Sequence, residues 1–259
     1  MSDVSLAVAQ TRYSVKGYLR DPSALVFTII MPVVLLLLFN AIFHGNTLFD
    51  GIRVKSAAYY TASIIAYTIM LNGFGSLVIR ITTDREAGQL KRYRGTPMPS
   101  WVYLFAEIGR SVVTIVVTSG VLLAVGALFY GVTVSGHMVV GLVVYVVVGT
   151  ACFAALGLAL ARACRTTDSA SAIGPFSTVV LAFLSGVFIP VAIMPAWLLD
   201  IGKVFPLEHL ARGLQLAFLV PGSTGLTGTN LAVLVAWGVV GLLVAIRTFR
   251  WDPLAAGAG

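Results

Sequence analysis

Charge is scarce in this chain. Only 10% of its 259 residues are Asp, Glu, Lys or Arg, against about 25% in an ordinary soluble domain. With 58% hydrophobic residues and a mean hydropathy of +0.96, it has too little polar surface to cover itself in water. A polytopic, all-α membrane protein is implied. Cysteine is nearly absent. Cys152 lies in an apolar run and Cys164 in a short polar loop, so no disulfide between them is expected. The three histidines, His44, His137 and His209, stand at run ends or beyond them, without Cys or carboxylate partners at metal-ligand spacing. No G-x-x-x-x-G-K-[ST] occurs, so the chain has no P-loop. No serine sits near an intramembrane base. A metal transporter, an intramembrane protease and an ATPase are therefore poorly supported. The N-terminal segment lacks the short apolar core and small-residue cleavage site of a signal peptide.

What is present is a series of apolar runs. Six are long enough for transmembrane helices: Ala24–Phe43, Tyr59–Ile81, Val102–Tyr130, Met138–Ala161, Ala170–Ile189 and Asn230–Phe249. Of the 17 basic residues, 13 fall on the side of the termini, and Arg53, Lys55, Lys203 and Arg212 fall on the other. The positive-inside rule then sets N-in, C-in. The net charge of +7 belongs with topology and anionic lipid, not with nucleic acid. The organisation is an interfacial segment over residues 1–22 and a membrane domain over 23–259.

Three segments outside the spans carry information. Val4, Val8, Thr11, Val15 and Tyr18 recur at helical spacing, flanked by Arg12, Lys16 and Arg20. This suits a helix lying in the membrane interface or packed on another protein, ended by Pro22. The loop over 82–101 has Thr83 and Glu86 at capping-box spacing, so a short helix is predicted to start near Asp84 and stop at Gly95 and Pro97. It is either a docking helix or a solvated basic connector. The stretch over 191–229 is too long for a bare loop. Pro195 and Pro206 each open a short helix. In the second, Leu207, Leu210, Leu214 and Phe218 share a face, and Glu208 and Arg212 stand i, i+4 on the other. The pair reads as a re-entrant hairpin or an external cap.

Ion-coupled transporters place a carboxylate or histidine near the midplane. Here Glu107 is the one carboxylate expected inside a span, about one turn from the cytoplasmic end, with Arg110 at i+3. The two form either a structural pair or a relay from the loop into the span. Asn72, Gly73 and Gly75 suit close helix approach or a path. Pro32 and Pro175 are expected to kink their spans. Phe176 and Phe183 face either lipid, core or an apolar substrate.

The sequence resembles the membrane subunit of type-2 ABC exporters, the permeases of the daunorubicin-resistance, polysaccharide and nodulation-factor kind. Glu86, Gly88, Leu90, Lys91, Arg92, Arg94 and Pro97 match the family's pattern before the third span, and PLEHLARGLQ over 206–215 matches the segment before the last. The resemblance implies two permeases, identical or related, and two separate ATPase subunits docked on the cytoplasmic face. It implies that ATP and Mg are held by those partners, with no cofactor on this chain. The N-terminal helix and the segment with Asp84, Arg85, Glu86, Gly88, Leu90, Arg92, Arg94 and Pro97 would sit in grooves of the ATPases. Glu107 and Arg110 would relay the motion, Asn72, Phe176 and Phe183 would border the substrate path, and Pro206, Glu208, His209 and Arg212 would belong to the external hairpin. An amphiphilic drug, lipid or glycolipid cargo fits the apolar interior. Thirteen Arg against four Lys points to a GC-rich bacterial genome and so to a bacterial cytoplasmic membrane. The competing readings are an ion-coupled transporter, which would need a midplane carboxylate, and a membrane enzyme or scaffold, which would need a nucleophile, a metal set or a soluble domain.

Overall fold

The computed structural model describes residues 3–89 and 100–248. Helix α1 (Asp3–Leu19) is followed by α2 (Pro22–Leu25), a π-helical turn (Val26–Ile30) and α3 (Met31–Ile42). A two-stranded hairpin, β1 (Asn46–Phe49) and β2 (Ile52–Lys55), leads into α4 (Ser56–Met70), a second π turn (Leu71–Ser76) and α5 (Leu77–Glu86). Then come α6 (Ser100–Tyr130), α7 (Gly136–Ala163), α8 (Thr167–Leu184), α9 (Ala196–Gly202), α10 (Pro206–Leu219) and α11 (Gly228–Thr248). Among the described residues, five helical runs are long and apolar enough to cross a bilayer: Ser56–Glu86, Trp101–Tyr130, Gly136–Ala163, Thr167–Leu184 and Gly228–Arg247. The apolar part of the first run, Val26–Ile42, is shorter. It approaches the ~30 Å of the hydrocarbon core only together with Pro22–Leu25.

The α4–α5 run forms the centre. Tyr59 to Met70 are all buried. The hydroxyls there are satisfied along their own helix: Thr61 donates to the Ala57 carbonyl at 2.7 Å, Ser63 to Tyr59 at 2.8 Å and Thr68 to Ile64 at 2.8 Å. Such back-bonding lets polar residues enter an apolar core. Glycines bring the neighbouring helices close. A Cβ on Gly73 would sit 3.2 Å from Cβ of Phe153 on α7, and one on Gly75 would sit 3.2 Å from Thr178 on α8. Helix α11 lies along α7, and α1 lies along α6.

The runs alternate in direction, so the body has two ends. The basic end carries α1, the close of α5, the start of α6 and the α7–α8 turn. The far end carries the β-hairpin, α9 and α10. At 1.5 Å per residue the 31-residue α4–α5 run is about 46 Å long, more than the hydrocarbon core needs. Its charged residues, Arg80 to Glu86, are all in its last turns.

Several expectations are corrected. The helix predicted to begin near Asp84 does not begin there. Helix α5 runs unbroken to Glu86, and Thr83 donates its hydroxyl to the Ile79 carbonyl at 2.9 Å instead of capping. The fifth run stops at Leu184 because Gly186 takes a left-handed φ of +67°. The first run is not one regular helix. Pro32 follows the π turn, and the Thr28 carbonyl four residues earlier meets the Thr118 hydroxyl at 3.5 Å. The β-hairpin between the first two runs was not anticipated. Its turn residues Asp50 and Gly51 have φ of 48° and 79°, as a two-residue type I′ turn requires.

Candidate functional site

At the basic end Asp84, Glu107 and Arg110 are buried and paired, with Arg80 half-exposed at the edge of the group. Helix α5 presents Arg80 and Asp84 one turn apart, with Nε of Arg80 3.3 Å from Oδ2 of Asp84. Helix α6 presents Tyr103, Glu107, Arg110 and Ser111, spaced to share a face. The Tyr103 hydroxyl donates to Oδ2 of Asp84 at 2.7 Å. Nε of Arg110 donates to Oε2 of Glu107 at 3.1 Å, and Nε of Arg80 lies 3.8 Å from the same oxygen. Helix α1 supplies the third wall: the Ser14 hydroxyl donates to Oε1 of Glu107 at 2.9 Å, and the Arg110 guanidinium sits over the Tyr18 ring at 5.5 Å. Asp84 and Glu107 are 3% and 2% exposed. Two carboxylates and two guanidiniums balance. A buried ion pair stays favourable only when its members are matched and hydrogen-bonded. The network also reaches inward: the Ser111 hydroxyl, 3.1 Å from the Glu107 carbonyl on its own helix, lies 3.4 Å from the Asn72 carbonyl in the π turn.

The close approach of α1 depends on a glycine. A Cβ on Gly109 would meet Cγ2 of Thr11 at 2.7 Å. The face α1 lays on α6 is Ala7, Thr11, Ser14 and Tyr18. Of the expected stripe, Thr11 and Tyr18 lie on this face, whereas Val8 is exposed. Arg12, Lys16 and Arg20 are exposed on the other side. Burial pushes the Tyr18 phenol up, opposed most by the Thr28 hydroxyl, so this ring stays neutral beside Arg110.

The loop residues assigned to docking divide. Asp84 and Arg85 are buried inside the body and cannot present their heads to a partner. The Arg85 guanidinium donates from Nη1 to the Ala161 carbonyl at 3.1 Å and from Nη2 to the Cys164 carbonyl, at the close of α7. The exposed Glu86 carboxylate accepts from the Thr167 backbone N–H at 2.6 Å, at the start of α8. Gly88 ends the turn after α5 with φ +69°. Leu90, Lys91, Arg92, Arg94 and Pro97 lie outside the described residues.

At the far end, α10 enters the core with Leu207, Leu210 and Leu214 fully buried. Pro206 is its first residue. The expected Glu208–Arg212 pair is corrected: Arg212 donates to both oxygens of Asp50, at 3.2 and 2.9 Å. Glu208 instead lies 3.4 Å from Nδ1 of His209, whose ring also meets Oδ1 of Asn230 at 3.0 Å and the Lys203 carbonyl at 2.9 Å. An apolar cavity of about 390 Å³, open to the protein surface, is lined by Phe74, Phe153, Phe205, Trp237 and the exposed Phe176, with Ser177 on its wall. Phe176 is thus on a cavity. Asn72 is buried and donates to the Thr68 carbonyl at 3.0 Å, and Phe183 packs edge-on against Phe188. Asp50, Ser14 and Tyr103 were missed in the sequence. The spacing of Ala7, Thr11, Ser14 and Tyr18 was the one available signal for Ser14.

Residues 6–219 match the model of the ABC-2 type transporter family, a stretch that runs from α1 through α10 and contains the whole network. The chain belongs to the ABC-2 type transporter family. It is 27% identical over 239 residues to the putative transport permease YvfS of Bacillus subtilis, covering 91% of this chain and 94% of that one. It is 24% identical over 255 residues to the daunorubicin resistance ABC transporter permease protein DrrB1 of Streptomyces coeruleorubidus, covering 95% and 87%. It is 22% identical over 235 residues to the inner membrane transport permease YadH of Escherichia coli, covering 90% and 89%. ABC-2 permeases work with ATPase subunits, and this chain is the membrane subunit of an ABC transporter. Its five long apolar runs make it a multi-pass membrane protein.

Proposed function

We propose that this permease exports an amphiphilic drug, lipid or glycolipid-like molecule across a bacterial cytoplasmic membrane, as one of two permease copies, identical or related, above two ATPase subunits. Its basic end faces the cytoplasm with both termini, and the far end faces out. The observation that carries this reading is the largely buried ionic network, because it ties α1, α5 and α6 into one block. ATP binding at the partners would move that block, and the Ser111–Asn72 contact would pass the movement to the π turn in the core. The two buried carboxylates stand at one end, each matched by a guanidinium, so neither offers an ion-coupling site. An external energy source fits better. The apolar cavity beside Phe176 supports a cargo with a large apolar part.

The test is affinity purification of the tagged chain in mild detergent, with the bound proteins identified and ATP hydrolysis assayed. The expected result is recovery of an ATPase that is lost in a Leu90→Ala, Arg92→Ala double variant. A wild-type chain that emerges without an ATPase contradicts the reading.

A further inference from the structure

Arg85 and Glu86 are adjacent in sequence, yet they bind opposite helix ends. The Arg85 guanidinium meets two carbonyls at the C-terminal end of α7, and the Glu86 carboxylate meets the first N–H of α8. Each charge complements the helix dipole it faces. Arg85 is only 3% exposed, so the cost of burying its charge is offset chiefly by those carbonyls. Thr83 adds a third tie, with its hydroxyl 3.4 Å from that of Thr167. Farther along the same seam, a Cβ on Gly174 of α8 would sit 3.4 Å from the Gly75 carbonyl. Helix α5 and the α7–α8 turn are thus joined at two charged points and along a glycine-lined contact.

We propose that Arg85 and Glu86 are positioning residues of the transport cycle, which make the α7–α8 turn move with α5. This rests on the ABC exporter reading and adds its second limb. The ionic network takes up movement on α1 and α6, and the Arg85–Glu86 clamp hands it to α8. Helix α8 carries Phe176 and Ser177 on the cavity wall, so a tilt of α8 changes the width of that cavity. The clamp gives the exposed Glu86 carboxylate a partner on the permease itself, at the start of α8, in place of one on the ATPase.

The test uses the permease–ATPase complex, with Cys152 and Cys164 replaced by Ala and nitroxides at Ala87→Cys and Asp168→Cys, both exposed positions. In the wild-type clamp the distance between the labels is narrow and unchanged by ATP. In Glu86→Ala it broadens, permease-dependent ATP hydrolysis falls about ten-fold, and the ATPase still co-purifies in full. Glu86→Gln, which keeps an acceptor oxygen, restores both readouts. Thr167→Pro removes the donor at a helix position where proline is tolerated, and it reproduces Glu86→Ala if that variant fails to fold. Loss of the ATPase from Glu86→Ala overturns the proposal in favour of a docking contact. Unchanged distance and hydrolysis in both variants overturn it outright. Absence of an ATPase from the wild-type preparation removes the exporter reading itself, which is a separate outcome.

Discussion

Tyr103 donates its hydroxyl to Oδ2 of Asp84 at 2.7 Å, across the seam between α6 and α5. Both residues are nearly inaccessible. Tyr103→Phe deletes the donor and leaves the ring, so a buried carboxylate oxygen loses a partner. The expected cost is about 1–3 kcal/mol, seen as a lower thermal midpoint in detergent. Asp84→Asn, which removes the charge but keeps an acceptor, should unbalance Arg80 instead. The pair of changes together should cost less than the sum of the two. An additive result would show that the two groups are uncoupled.

Gly213 and Tyr145 make a second relationship, at the far end. A Cβ on Gly213 would overlap the ring of Tyr145 at Cζ, and that residue's hydroxyl donates to the Gly225 carbonyl at 2.7 Å. Gly213→Ala must displace a buried ring that is anchored at its tip. Overpacking of this kind costs about 1–3 kcal/mol, and faster proteolysis of the α10 hairpin would report it. Gly120→Ala, with nothing within 4 Å of the added carbon, should be silent in the same assay.

Both cysteines are free and buried, at 2% and 1% exposure for Cys152 and Cys164. Burial pushes the Cys164 thiol up, opposed by the Arg85 charge and a Ser169 hydrogen bond. A raised pKa keeps the thiol protonated at neutral pH, and the thiolate is the reactive form. Maleimide labelling of Cys164 in the folded protein should therefore be slow at pH 7 and accelerate as pH rises, and it should become fast in Arg85→Ala, which opens the α7–α8 turn. Fast labelling of the wild type at pH 7 would contradict the packing described for that turn.

Much of the architecture was legible in the sequence because lipid imposes long apolar runs, and because Glu107 and Arg110 are helix neighbours whose pairing needs no tertiary information. The boundaries failed where polarity was resolved by tertiary contacts. Asp84, Arg85 and Glu86 fall in the polar segment after the second run, and Thr83 with Glu86 matches a capping box, so the spacing predicts a new helix there. The helix nevertheless continues through them, because Tyr103, the α7 carbonyls and the Thr167 amide satisfy their charges. Those partners are 19 to 81 residues away. Arg212 illustrates the same limit. Its sequence neighbour Glu208 is at ideal spacing, but Asp50, 162 residues distant, takes the guanidinium. Ser14 was hidden for a different reason: it is a polar residue on a face shared with Ala7, Thr11 and Tyr18, so a search for an apolar stripe passes over it.

If the Glu107 network carries the movement of the partner ATPases into the membrane helices, as proposed above, loosening it uncouples hydrolysis from the permease. Ser14→Ala removes the hydrogen bond from α1 to Glu107 and leaves the Glu107–Arg110 pair and the Arg110–Tyr18 contact intact, so the fold should survive. The most direct measurement is ATP hydrolysis per assembled complex for Ser14→Ala, with Glu107→Gln as the stronger lesion. The network account predicts full co-purification of the ATPase in Ser14→Ala, a several-fold loss of permease-dependent hydrolysis, and a larger loss in Glu107→Gln. Wild-type hydrolysis in both variants, with the complex intact, would contradict it.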